Sequence, residues 1–246
     1  MTEQMEKEPS PHLDVAGSIC PSCGGDGMSV FYRVTNIPVH SCLLMKDRRS
    51  AVSFPRSNLS LAFCPACGFI SNQLFDPSVH SYGRIYEESQ GYSPCFNSFL
   101  NSLAGQLVDK FDIRNKRVLE IGCGKAEFLA AMCRIGNNEG IGIDPGSNPA
   151  RLPASVKNRV TLICDFYSEA YSDIKADFVC CRHTLEHIGP TRDFLLTVRK
   201  SMSSNPGAIA FFEVPDVLRV LRERAFWDIY YEHCSYFSMG SLARLF

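Results

Sequence analysis

The chain has 246 residues, 45% of them hydrophobic, and its 25 basic and 26 acidic side chains leave a formal net charge of −1. That length holds one large domain, or a medium one with a small one. The near-zero charge and the lack of a long basic run disfavour a protein that grips nucleic acid electrostatically, and no apolar run approaches the length of a membrane span.

Met1 to Asp14 is charged and carries two prolines. It lacks the apolar stretch of a signal peptide, so residues 1–17 read as a disordered tail. The chain contains twelve cysteines. Four sit in paired C-x-x-C elements, and most others fall in apolar strand or helix patterns. That placement suits a reduced, cytoplasmic compartment with a metal site better than a secreted disulfide framework.

Residues 18–73 read as a small metal module. Cys20-Pro21-Ser22-Cys23-Gly24 and Cys64-Pro65-Ala66-Cys67-Gly68 are two matching knuckles. The glycine after each second thiol permits the tight turn that aims backbone amides at sulfur. Four thiolates at about 2.3 Å suit tetrahedral zinc with no open position, hence a structural ion. A disulfide pair or redox motif is the alternative, and two phased copies weigh against it. Phe31 to Val34 and Ser60 to Phe63 are the expected strands. His40 and Cys42 read as packing or loop residues, since four better ligands exist. So small a module cannot bury a large core, and metal binding is expected to supply its folding energy.

Residues 74–115 form a linker and a helix. Tyr82, Tyr86 and Tyr92 punctuate the linker, placed either to close over a ligand pocket or to pack with a hydroxyl at solvent. Phe96, Phe99, Leu100, Leu103, Leu107, Val108 and Phe111 then follow helical spacing.

The main domain, residues 116–246, begins with Arg117-Val118-Leu119-Glu120-Ile121-Gly122-Cys123-Gly124-Lys125-Ala126. Val118 to Ile121 is a buried strand, Gly122 and Gly124 turn the chain, and Phe128, Leu129, Met132 and Ile135 mark a helix. Such a corner lets a ligand approach the backbone. A second strand, Gly140 to Ile143, ends at Asp144, an acid able to accept hydrogen bonds from a ribose diol. This pattern resembles the class I methyltransferases that bind S-adenosylmethionine. Glu120 is then the acid of their first motif, Gly122 and Gly124 its first two glycines, and Ala126 replaces the third. A dinucleotide fold is the competing reading, but its glycine spacing is absent. Glu127 at the helix start also disfavours a pyrophosphate and suits a sulfonium. The expected fold is α/β: a Rossmann-like class I methyltransferase sheet with helices on both faces, preceded by the zinc module.

Later strands follow at Val160 to Asp165, Asp177 to Cys181 and Ala208 to Val214. The resemblance places Asp165 near the adenine amino group, with Phe166 available to cover the ring. His183 and His187 are four apart and would share one face of a helix. His183 reads as a cofactor-edge residue or a mere loop hydrogen-bonder, and His187 as an active-site residue. In Phe226 to Ser238, Tyr230, Glu232 and His233 form a candidate proton-transfer group, with a packed helix-loop as the alternative.

Taken together the chain resembles the zinc-containing sugar C-methyltransferases. Glu232-His233-Cys234-Ser235-Tyr236-Phe237 matches their E-H-x-S-Y-F element, and Cys20, Cys23, Cys64 and Cys67 match their zinc ligands. The resemblance implies S-adenosylmethionine, structural zinc and a nucleotide-linked keto-sugar. His233 is then the base that forms an enolate, Glu232 and Tyr230 orient it or stabilise charge, His187 holds the enolate oxygen, and Tyr86 lies on the substrate side. Family members continue into a further C-terminal domain, whereas this sequence stops at Leu242-Ala243-Arg244-Leu245-Phe246. That reads as a truncated domain whose apolar end seeks a partner, including a second copy. An RNA methyltransferase and a non-catalytic cofactor-binding protein are the alternative functions.

Overall fold

The structure, a computed structural model, describes residues 18–79, 86–87 and 89–246. The expected tail and Tyr82 lie outside these residues. Two sheets make up the architecture. The first begins with β1 (Ser29–Pro38) and β2 (Arg56–Phe63), antiparallel neighbours joined across α1 (Arg48–Val52), whose first turn is capped by Asp47 accepting from Ser50 N at 2.7 Å. Both expected strands of the metal module lie within this pair. The second knuckle then turns β2 into β3 (Ile70–Asn72), which pairs Phe63 with Ile70 and Leu61 with Asn72.

α2 (Pro94–Phe111) starts on a Ser93 cap with proline in its first turn, a position where the missing N–H costs nothing. Its buried residues, Leu100, Ala104, Leu107 and Val108, follow the 3.6-residue period. The second sheet is built from β4 (Arg117–Ile121), β5 (Glu139–Ile143), β6 (Val160–Ile163), β7 (Phe178–Arg182) and β8 (Ile209–Glu213). All pairings are parallel, in the spatial order β6-β5-β4-β7-β8. Central strands β4 and β7 are buried on both faces, which explains their continuous apolar runs. Residues of alternate parity feed two cores. Val118, Phe178 and Cys180 pack with Phe128, Leu129 and Met132 of α3 (Glu127–Gly136) and with α2. Leu119, Ile121, Val179 and Cys181 pack on the other face with Val198 of α4 (Thr191–Met202). The chain order of the sheet reverses beside β4, and ligands bind such sheets outside the carboxyl ends of the strands at that point.

After α5 (Val217–Glu223), the chain adds β9 (Ser235–Tyr236) to the first sheet, not the second. Tyr236 faces Ile70, Ser235 faces Ser71, and Asn72 N donates to Cys234 O at 2.9 Å. The two sheets therefore share one apolar cluster: Cys20, Met28, Cys64, Cys67 and Phe69 belong with Leu119, Ile121, Val179, Cys181 and Phe237. The small module, too small to bury a large core of its own, borrows the face of the parallel sheet. α6 (Met239–Leu245) closes the chain on a Ser238–Ser241 capping box. Leu242 and Leu245 pack against that same cluster, and the Phe246 ring meets Phe212 edge-on at 4.9 Å. Among the described residues no helix is long and apolar enough to cross a membrane.

Candidate active site

The carboxyl end of β4 carries the turn expected to cradle the cofactor. Gly122 adopts φ +68°, a region glycine enters without cost. A Cβ there would fall 2.0 Å from Thr184 Oγ1 and 2.7 Å from Thr184 Cβ. Thr184 is itself fixed by donating to Arg182 O at 3.0 Å. Gly122→Ala is expected to weaken S-adenosylmethionine binding about 10-fold or more, since such forced strain costs about 1–3 kcal/mol. Calorimetric titration checks this, and unchanged affinity would remove the turn from the cofactor site. Ala126 also sits at positive φ, +61°, where the motif ordinarily has glycine.

Glu120 is 3% exposed and lies beneath the turn. It accepts from Leu129 N at 3.0 Å. Burial pushes its carboxyl up to about 8, against the pull of Arg182 and the Leu129 amide. Asp144 accepts from Gly124 N at 3.0 Å and Gly146 N at 2.6 Å, which joins the ends of β4 and β5. Each oxygen keeps a lone pair for a hydroxyl. Asp165 accepts from Phe166 N at 2.8 Å and from the Tyr171 hydroxyl at 2.5 Å, and the Phe166 ring beside it is 60% exposed. The linker is pinned across this region. Buried Lys125 donates to Tyr86 O at 3.0 Å and Gly146 O at 3.3 Å, Glu87 pairs with Arg151 at 3.0 Å, and the Ser89 hydroxyl donates to Glu127.

A second group gathers where β7 meets the strand β9. His183, at φ +48°, ends β7, and Leu185–His187 form a single 3-10 turn. The expected shared helical face of His183 and His187 is thus corrected: the left-handed residue breaks the helix before it starts. His183 points outward, its side chain 54% exposed, between Glu186 at 3.6 Å and Glu213 at 3.4 Å. Those two carboxylates raise its imidazole to about 9. His187 turns instead toward His233, with ring centroids 4.8 Å apart at 78°. His233 is 5% exposed. Its Nε2 shares a 2.6 Å hydrogen bond with the Tyr230 hydroxyl, whereas Nδ1 is buried with no hydrogen-bond partner among the described residues. Burial holds the His233 imidazole well below its ordinary value, and neighbouring His187 adds to the effect. Burial also lowers His187, against Glu186 and Glu232.

Glu232 does not bond to His233. Its Oε1 meets His40 Nδ1 at 2.8 Å, and its Oε2 accepts from Ser41 N at 2.7 Å and from the Ser41 hydroxyl. Burial pushes this carboxyl up, but the bonds from Ser41 and His40 outweigh it and keep it below the usual range. His40, read from sequence as a packing or loop residue, is therefore part of the group, with Tyr86 tilted against it at 5.9 Å between centroids. No local motif marks it: the contact spans 192 residues.

The four knuckle cysteines converge although they come from two loops. Cys20 and Cys67 sulfurs lie 3.7 Å apart, as do those of Cys23 and Cys64, and all four ligand atoms lie within 4.8 Å of one another. Tetrahedral zinc with sulfur at about 2.3 Å requires sulfurs roughly 3.8 Å apart. The set fits that ion and is too wide for disulfides. Gly24 N donates to Cys20 O at 2.8 Å and Gly68 N to Cys64 O at 2.9 Å, and Gly25 N reaches Cys23 Sγ at 3.4 Å.

The sequence profile of a family described as "Methyltransferase domain" matches residues 96–246. The chain is 31% identical over 236 residues to the C-methyltransferase NovU of Streptomyces niveus, covering 92% of this chain and 54% of that protein. The chain thus spans about half the length of that curated relative. Among solved structures, an O-methyltransferase family protein from Burkholderia thailandensis is similar with 16% identity and a TM-score of 0.44, over 61% of this chain and 51% of that one. A cyclopropane-fatty-acyl-phospholipid synthase-like protein from Lactobacillus casei ATCC 334 is similar with 15% identity and a TM-score of 0.45, over 67% and 70% of the two chains.

Proposed function

The chain belongs to the methyltransferase-domain family, whose profile covers residues 96–246, and from that premise we propose that it methylates carbon beside a keto group on a nucleotide-linked sugar. The observation that carries this reading is the buried His233 with its unpartnered Nδ1, set against Tyr230 and His187 at the carboxyl end of the parallel sheet. The C-methyltransferase relative supports the carbon acceptor. S-adenosylmethionine, when bound, supplies an electrophilic methyl carbon whose bond to sulfur breaks as the bond to substrate carbon forms.

The residues divide the work as follows. Gly122, Gly124, Asp144, Asp165 and Phe166 hold the cofactor, Glu120 supports the turn from below, and His183 flanks the mouth. His233 Nδ1 takes the proton from the carbon next to the carbonyl. Tyr230 fixes the ring through Nε2, and its phenol, raised by burial, stays protonated at neutral pH. His187 faces the enolate oxygen, with Tyr86 on the substrate side. Glu232 acts through His40 and Ser41 as a positioning residue. The main catalytic gains are alignment and electrostatic stabilisation of the enolate. Cys20, Cys23, Cys64 and Cys67 hold structural zinc.

A base that is neutral at neutral pH leaves a signature. The folded pKa of His233 lies below 6.5, so the base stays unprotonated as pH falls through that value. The acid limb of kcat/KM is expected below pH 6.5. A limb at or above that value would contradict the assignment. The reading as a whole is tested by incubating zinc-replete protein with S-adenosylmethionine and a panel of keto-sugar nucleotides. A product with its new methyl on carbon is expected. Methylation of oxygen alone, or of none of the panel, would overturn it.

A further inference from the structure

We propose that Glu186, His187 and His233 form a second site for a divalent transition cation, chemically distinct from the four cysteines, and that filling it stops proton transfer. The three residues offer donor atoms within 4.8 Å of one another. Glu186 and His233 are 2% and 5% exposed, and among the described residues neither Glu186 Oε2 nor His233 Nδ1, both buried, has a hydrogen-bond partner. Two uncompensated polar atoms in one buried cluster are costly unless something pairs with them. His183, at 3.6 Å, is the cation seen beside Glu186, and it reaches the other carboxylate oxygen.

The local fold holds the set together. The 3-10 turn after β7 presents Glu186 and His187, while the turn from Tyr230 to His233 presents the second imidazole. Cys234 Sγ donates to Glu186 O at 3.5 Å and so ties the two segments. Two imidazoles and one carboxylate form a three-ligand set that zinc uses where it keeps an open position. Imidazole donors favour zinc, copper or nickel over magnesium or calcium. Bond lengths of about 2.1 Å place donors roughly 3.4 Å apart, within the 4.8 Å spread of this set.

The consequence for turnover rests on the proposed function: a lone pair on Nδ1 cannot serve metal and proton at once. The binding itself does not rest on it. Protein already holding one equivalent of zinc is titrated with zinc alone, and bound metal is counted. A second equivalent of micromolar affinity is expected. His187→Ala and, separately, Glu186→Gln should weaken it 10-fold or more while retaining the first equivalent. Cobalt in the second position should show the weak visible bands of nitrogen and oxygen ligands without sulfur charge transfer. Saturation at one equivalent, or a second equivalent that survives both substitutions, would overturn the site. Binding of the second equivalent with methyl transfer unaffected would overturn the switch while leaving the site. Absence of methyl transfer at every metal level would speak against the proposed function, not the metal site.

Discussion

His233→Ala is expected to lower kcat by about 10³-fold or more, in the range assigned to a lost general base, with S-adenosylmethionine affinity within about 3-fold of the parent. The residue can carry so large an effect because its environment prepares it. The ring is 5% exposed and neutral at neutral pH, its Nε2 is committed to Tyr230, and Nδ1 is left without a partner. Cofactor affinity is the control, because the proposed cofactor contacts come from Gly122, Gly124, Asp144, Asp165 and Phe166 and not from His233. Tyr230→Phe keeps the tilted ring contact, with centroids 4.0 Å apart, but removes the 2.6 Å bond, and should cost less than loss of the imidazole. Near-normal turnover by His233→Ala would remove it from the base role and pass that role to His187.

Cys64→Ser is expected to lose stoichiometric zinc, become protease-sensitive and lose methyl transfer together. Structural zinc is worth about 10–16 kcal/mol in isolated modules, comparable with the ~5–15 kcal/mol that holds a whole domain together. The effect should spread because the second knuckle sits between β2 and β3, and β3 pairs with β9, which begins just past Cys234. Cys64 also belongs to the apolar cluster that includes Leu119 and Ile121 of the parallel sheet. Metal analysis and limited proteolysis check this. Undiminished zinc in the variant would defeat the four-cysteine assignment.

Local signals explain which parts of this arrangement are legible in the sequence. The run from Val118 to Ile121, the glycines after it, and the stripe from Phe96 to Phe111 each express one period or one turn, and each forms where it is expected. The two knuckles stand out as candidate ligands because their spacing repeats, and their four sulfurs converge. What escapes is long-range or too short to have a period. β9 has two residues, and its place in the first sheet depends on β3, not on its own pattern. The pairing of His40 and Ser41 with Glu232 is equally silent, so of the two expected orienting partners only Tyr230 bonds the His233 ring. His183 and His187 follow helical spacing, but the left-handed backbone at His183 sends their rings in different directions.

Removal of a proton from carbon beside a carbonyl is the step proposed for His233. The most direct measurement is exchange of that proton with deuterium from solvent, followed by NMR on a keto-sugar nucleotide held with zinc-replete protein and S-adenosylhomocysteine, so that no methyl transfer intervenes. Exchange at a single carbon is expected with the parent protein and none above background with His233→Ala. Equal exchange by both proteins would contradict it.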